Sequence, residues 1–220
     1  MHRRLSTIAS LVLLALASTA CTSQRMSQVV SENLNVLRAF DAASVIPPET
    51  MAAAKAVAVL RETEGAMIVG ASGGEGVLVR RIEGGWSPPL AIAMSTGSIG
   101  LQIGGQTREI VLVFTAQSAV DRMLATGIYS IGRIEGVAGT AQGRTAPDSP
   151  EAEVLPFVRS GGLFGGVSLN GLGFGPSHRV NTTAYGSGWT VGQVLNGELS
   201  PPPGSMSLWM MLDQMSRVGG

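Results

Sequence analysis

Ile110-Val111-Leu112-Val113-Phe114, framed by Glu109 and Thr115, is the stretch on which the fold turns. Five apolar residues in succession leave no polar face, so a strand here is central and covered on both sides. Just upstream, Ser98–Gly104 reads differently. Ile99, Leu101 and Ile103 alternate with Gly100, Gln102 and Gly104, which gives a strand with two unlike faces. Further apolar runs at Ala66–Ala71, Gly76–Ile82 and Leu90–Ser95 are separated by Gly, Ser and Pro, the texture of successive strands. Downstream, Gln117–Ala125 is expected to be a short helix burying Val120, Met123 and Leu124. Strand texture resumes at Tyr129–Thr140, Leu163–Leu169 and Gly171–Phe174. The polar stretch Ala141–Ser149, with Pro147 and Pro150, reads as a loop.

Two helices are expected before the strands. Gln28–Val45 carries Val29, Val30, Leu34, Val36, Leu37 and Phe40 on one stripe, and Pro47-Pro48 ends it. Glu49–Leu60 is Ala-rich, with Pro48 and Glu49 suited to a helix start. At the other end, Pro201-Pro202-Pro203-Gly204 makes a stiff break before a Met-rich helix over Ser205–Arg217. That helix has two readings, packing on the domain or lying in a membrane interface. Its lack of Lys and Arg favours packing. The expected fold is α+β: N-terminal helices, then a curved, mostly antiparallel sheet, with closure into a barrel left open.

The first twenty residues have the three parts of a secretory signal: Arg3 and Arg4, the apolar run Leu5–Ala17, and the small exit Ser18-Thr19-Ala20. Cys21 follows as the only cysteine, so neither an internal disulfide nor a cysteine metal cage can form. Its position resembles the lipobox of bacterial lipoproteins, although Ser18 stands where Leu is usual. That resemblance implies acylation of Cys21. Thr22, rather than Asp, comes next, which leans toward the periplasmic side of the outer membrane. A soluble periplasmic or secreted protein is the alternative. The expected organisation is a signal peptide over 1–20, a tether over 21–27, one domain over 28–200, and the Pro-rich break with its apolar helix over 201–220.

Loss of Arg3 and Arg4 leaves 13 basic against 15 acidic residues, a net charge of −2. Such a balance argues against nucleic acid and against a polybasic membrane patch. Thirty glycines suit a sheet with close backbone contacts and many turns. His178 is the one histidine left after export, too few for a His/Cys zinc site. Lys55 is the one lysine, and its Ala-rich surroundings exclude a Walker A loop. Gly70-Ala71-Ser72-Gly73-Gly74 fits the G-x-S-x-G pattern of serine hydrolases, and Asp121 or Asp148, then His178, follow in order. A nucleophile elbow needs a helix after the serine, however, and Glu75–Arg80 reads as a strand. The segment is therefore read as a hairpin loop, and neither an enzyme nor a cofactor is expected.

Several blocks together resemble the SYLF domain family. They are Ile46-Pro47-Pro48 with Ala54–Val59; Gly76–Arg80 with Gly85-Trp86-Ser87-Pro88-Pro89; Gly97–Gln106 leading into Ile110–Phe114; Gly162–Gly171; and Asn181 with Tyr185-Gly186. The resemblance implies a non-catalytic domain. Eukaryotic members are similar to phosphoinositide-binding and actin-associated modules, and bacterial members to exported proteins or lipoproteins. Scarce lysine and a slightly acidic balance keep phosphoinositide and actin binding from being carried over, and actin is not expected as a partner. A phospholipid or membrane surface is the expected partner, with an envelope protein as the alternative. Arg80, Arg81 and Trp86 are the lipid-binding candidates. Arginine suits phosphate, and an indole offers an apolar plate with one N–H donor. Neighbouring strand residues point to opposite faces, so only one of the two arginines can share a face with a ligand. A core-capping Trp86 beside a solvated arginine pair is the competing reading.

Overall fold

The computed structural model describes residues 25–63, 72–96, 107–127, 129–130, 153–161, 163–164 and 173–217. The leader, Cys21, the expected strands at 66–71 and 98–104, the loop at 141–149 and most of 129–140 and 163–169 lie outside them.

Among the described residues a first helix, α1, runs over 25–42. Met26, Val29, Val30, Leu34, Val36, Leu37 and Phe40 are all buried, as the expected stripe requires. The second expected helix is cut short. Only Pro48–Ala53 (α2) is helical, and Ala56–Thr63 is a strand, β1. The apolar run Ala56–Leu60 is too short for periodicity to separate helix from buried strand. Position in the sheet settles it: β1 pairs on one side with β2 (Ser72–Ile82) and on the other with β5 (Thr107–Phe114).

β3 (Gly85–Trp86) turns back on β2 through Glu83-Gly84, and Gly84 has φ 86°, a value suited to glycine. β4 (Leu90–Thr96), α3 (Gln117–Thr126), β6 (Tyr129–Ser130), β7 (Val154–Ser160), β8 (Leu163–Phe164) and β9 (Gly173–Pro176) follow. The strands pair antiparallel in the order β6-β9-β4-β2-β1-β5-β7-β8, with β3 beside β2. Among the described residues the path ends at β6 and β8. Among those residues the sheet is open rather than closed into a barrel. β7 is not foreseen from the sequence because of Pro156. Among the described residues β8 pairs with Arg159 and Ser160, and Pro156 pairs across β5 with Leu112.

The fully apolar reading of Ile110–Phe114 holds. Val111 and Val113 enter one core with Val57, Val59, Val77 and Val79, beneath α1, α2 and α6 (Ser205–Met215). Ile110, Leu112 and Phe114 enter a second core with Ala58, Leu60 and Leu78, beneath α3 and α5 (Val191–Leu195). Helices thus cover both faces, and the central strands need no polar side. α6 lies alongside α1 and runs in the same direction: Gly204 sits against Val30, and Gln214 Nε2 donates to Asp41 Oδ2 at 2.8 Å. Its Leu208, Met211, Leu212 and Met215 are buried in the packing arrangement, while Met206 and Met210 are each 64% exposed.

Candidate functional site

The two neighbouring arginines of β2 diverge, as strand alternation requires. Arg80 reaches across the face that carries Leu78 and donates to Asn196 Oδ1 at 2.6 Å. Arg81 turns to the α2 face. Its guanidinium carbon lies 4.0 Å from the Trp86 ring centroid, a cation–π contact. Its Nε donates to the carbonyl of Ala54 at 3.1 Å and Nη2 to that of Met51 at 3.4 Å, capping the C-terminal turn of α2. Burial pulls the Arg81 pKa below its ordinary value, and nearby Asp213 opposes that shift. Trp86 is 4% exposed, and its indole N–H donates to Asp213 Oδ1 at 2.9 Å. Arg81, Trp86 and Asp213 therefore join α2, the β2–β3 hairpin and α6, with the ring face and the indole donor already engaged.

The residues of the hydrolase pattern are placed separately. Ser72 opens β2 opposite Thr96 and continues directly into strand. His178 begins α4 (His178–Tyr185), and its ring lies 5.4 Å from that of Trp189. Asp121 lies on α3 and accepts from Gln117 Nε2 at 2.8 Å. Asp148 lies outside the described residues.

Asn181 and Tyr185, both on α4, fasten that helix to β4. Asn181 is fully buried. Its amide accepts from the Ala91 N–H at 2.9 Å and donates to the Ala91 carbonyl at 2.7 Å, acting as one more rung of strand. The Tyr185 hydroxyl donates to the Pro89 carbonyl at 2.6 Å, and burial pushes its pKa up.

Register assembles a feature that no contiguous motif announces. On the α1 face of the sheet, Arg159 of β7, Glu109 of β5, Arg61 of β1 and Glu75 of β2 stand directly opposite one another on successive strands. The row alternates in sign, the favourable arrangement for cross-strand charges. Arg159 pairs with Glu109. Glu75 receives Arg25 of α1 at 2.7 Å and lies 3.7 Å from Arg179, which is 70% exposed. One residue along, on the other face, Glu62 is 1% exposed and pairs with Arg108 at 3.1 Å. Among the described residues this rim of the sheet thus gathers five arginines and three glutamates. Only strand parity combined with the correct register could have found it from sequence.

Fold and site define a three-layer domain, a central antiparallel sheet sheathed by helices, with a row of paired charges along one rim. The chain belongs to the Ysc84 (SYLF) family: the family model described as Las17-binding protein actin regulator matches residues 95–215. Among curated proteins it is similar to LAS seventeen-binding protein 3 of Saccharomyces cerevisiae, 28% identical over 198 residues, 87% of this chain and 43% of that protein. SH3 domain-containing YSC84-like protein 1 of Xenopus laevis is 28% identical over 200 residues, covering 88% of this chain and 60% of the relative. The Homo sapiens protein of the same name is 29% identical over 177 residues, 78% of this chain and 52% of that one. The chain therefore spans about half the length of the curated relatives it matches. Their names are those of binding and regulatory proteins rather than enzymes.

Proposed function

We propose that the chain is a non-catalytic lipid-binding domain of the bacterial cell envelope, held at the periplasmic side of the outer membrane through acylated Cys21. One observation carries the reading: the fold begins almost at the proposed acyl site. By residue 25 the chain is already helical, and Met26 is fully buried. Four backbone steps separate Cys21 from Arg25, so the tether reaches about 14 Å at full extension. A domain held that close works at the bilayer surface, where phospholipid headgroups are the ligands at hand. The leader and the lipobox-like position of Cys21 support the same reading. A protein partner is the second reading, favoured by the Las17-binding description of the family model.

Two measurements test it. Cys21→Ser is expected to abolish acyl labelling and release the protein from the membrane fraction; unchanged labelling removes Cys21 as the anchor. Soluble Thr22–Gly220 is expected to sediment with vesicles of phosphatidylglycerol, cardiolipin or phosphatidylethanolamine. A folded domain that binds none of them overturns lipid recognition and favours the protein partner.

A further inference from the structure

The tether meets the fold at one particular end of the sheet. Arg25 of α1 is bonded to Glu75 near the start of β2. At this same rim the chain leaves or re-enters the described sheet at Thr63, Ser72, Thr96, Thr107, Ser130 and Gly173. The Arg81–Trp86 joint and the Glu83-Gly84 turn occupy the opposite end. Seven residue steps from Glu75 to Ile82, at about 3.3 Å each, put the two ends about 23 Å apart. That exceeds the about 14 Å that the tether can span.

Charge points the same way. Among the described residues five arginines face three glutamates on the rim, whereas the other described charges are six basic and eight acidic. Arg61 is exposed, and Arg179 projects largely into solvent. These two can exchange water for phosphate with little disturbance of the sheet.

We propose, resting on acylation of Cys21, that the anchored domain stands on this rim, with Arg25, Arg61 and Arg179 toward the headgroup phosphates of anionic phospholipid. The Arg81–Trp86 end then points away from the bilayer. Binding of lipid at Arg80, Arg81 and Trp86 would require the opposite orientation.

Acylation turns the Cys21 sulfur into a thioether, so an introduced cysteine becomes the chain's free thiol. Full-length protein carrying Ser160→Cys at the rim, Glu83→Cys at the far turn or Met210→Cys on the exposed flank of α6 is purified from membranes. The mass of its N-terminal peptide is measured. Each variant is then labelled with a thiol-reactive fluorophore and reconstituted into phosphatidylglycerol–phosphatidylethanolamine vesicles that bear an energy acceptor on the headgroups. Thr107→Cys serves as a second rim position should Ser160→Cys fold poorly. The expected order of energy transfer is rim strongest, Met210→Cys intermediate, Glu83→Cys weakest, with a rim-to-turn difference matching about 23 Å. Transfer from Glu83→Cys equal to or above that of the rim overturns the orientation. Strongest transfer from Met210→Cys overturns it too, because the domain then lies on its α1–α6 side. A peptide without the acyl mass sinks the anchor and the orientation together, and mass against fluorescence tells the two failures apart.

Discussion

Gly76→Ala offers the sharpest test of the packing at the centre of the sheet. Gly76 lies on β2 opposite Leu60 of β1, and the two strands pair through eight consecutive positions. A Cβ built on Gly76 would sit 2.2 Å from the Val59 carbonyl oxygen, 3.0 Å from Leu60 Cα and 3.1 Å from Leu60 Cγ. Two of those three obstacles are backbone, so no rotamer change relieves them. The strands must part by about 1 Å, which forfeits much of the dispersion contact along this line. Gly76 has no left-handed φ, so alanine adds no conformational strain, and reduced freedom of the unfolded chain returns about 0.4–1 kcal/mol. Overpacking of a dense core costs about 1–3 kcal/mol, and more where backbone must move. The expected net loss is about 3 kcal/mol. With an m-value of about 2 kcal/mol/M, the urea midpoint of Thr22–Gly220 falls by about 1.5 M. Gly74→Ala is the internal control: its nearest obstacle is the mobile Met94 Cε at 3.0 Å, with the Arg61 carbonyl at 3.2 Å. Its expected cost is about 1 kcal/mol. Urea melts followed by circular dichroism read both values. A Gly76→Ala stability within about 0.5 kcal/mol of the parent, or a larger loss for Gly74→Ala, refutes the argument.

Arg81→Ala is expected to lower stability by about 2 kcal/mol, through the lost α2 cap and cation–π contact, while vesicle binding by the folded variant stays unchanged. A binding defect without a stability defect would instead return Arg81 to the lipid site. Arg108→Ala removes an arginine that pairs with the buried Glu62 carboxylate and is expected to cost about 3 kcal/mol, more than Glu62→Gln. Equal costs in urea melts would mean that charge burial does not govern this site. Serine-reactive probes are expected to leave Ser72 unlabelled. Labelling that disappears in His178→Ala would revive the hydrolase.

Much of the fold is legible from local pattern. The stripe on α1, the break at Pro47-Pro48, the helix at Gln117 and the Met-rich helix after Pro201–Gly204 each satisfy a rule that operates within one turn or two. Their expected ends differ from the observed ones by a few residues, because fraying and caps depend on neighbours. The split of Glu49–Leu60 was not legible. Alanine and valine in a short apolar run are compatible with a buried helix or a buried strand, and only partners on both sides, β2 and β5, decide between them. Val154–Ser160 was hidden for a similar reason: Pro156 disfavours strand except where the ladder does not need its missing N–H, and that depends on topology.

The same division governs the candidate site. Sequence alone determined the single cysteine, the scarcity of histidine and lysine, and the ordered blocks that mark the family, because these depend on residue identity and chain order. It also singled out Arg80, Arg81 and Trp86, and strand alternation correctly sent the two arginines to opposite faces. That Arg81 and Trp86 are spent on a joint with α2 and Asp213 was decided by tertiary structure, since Asp213 lies 127 residues from Trp86 along the chain. The charged row of Arg159, Glu109, Arg61 and Glu75 is tertiary in the same sense. Each residue is unremarked in its own segment, and they become neighbours only through the register of four strands. A one-residue slip would send a strand's charge to the other face, and register is fixed by burial on both faces of the sheet, which no local stretch of sequence contains.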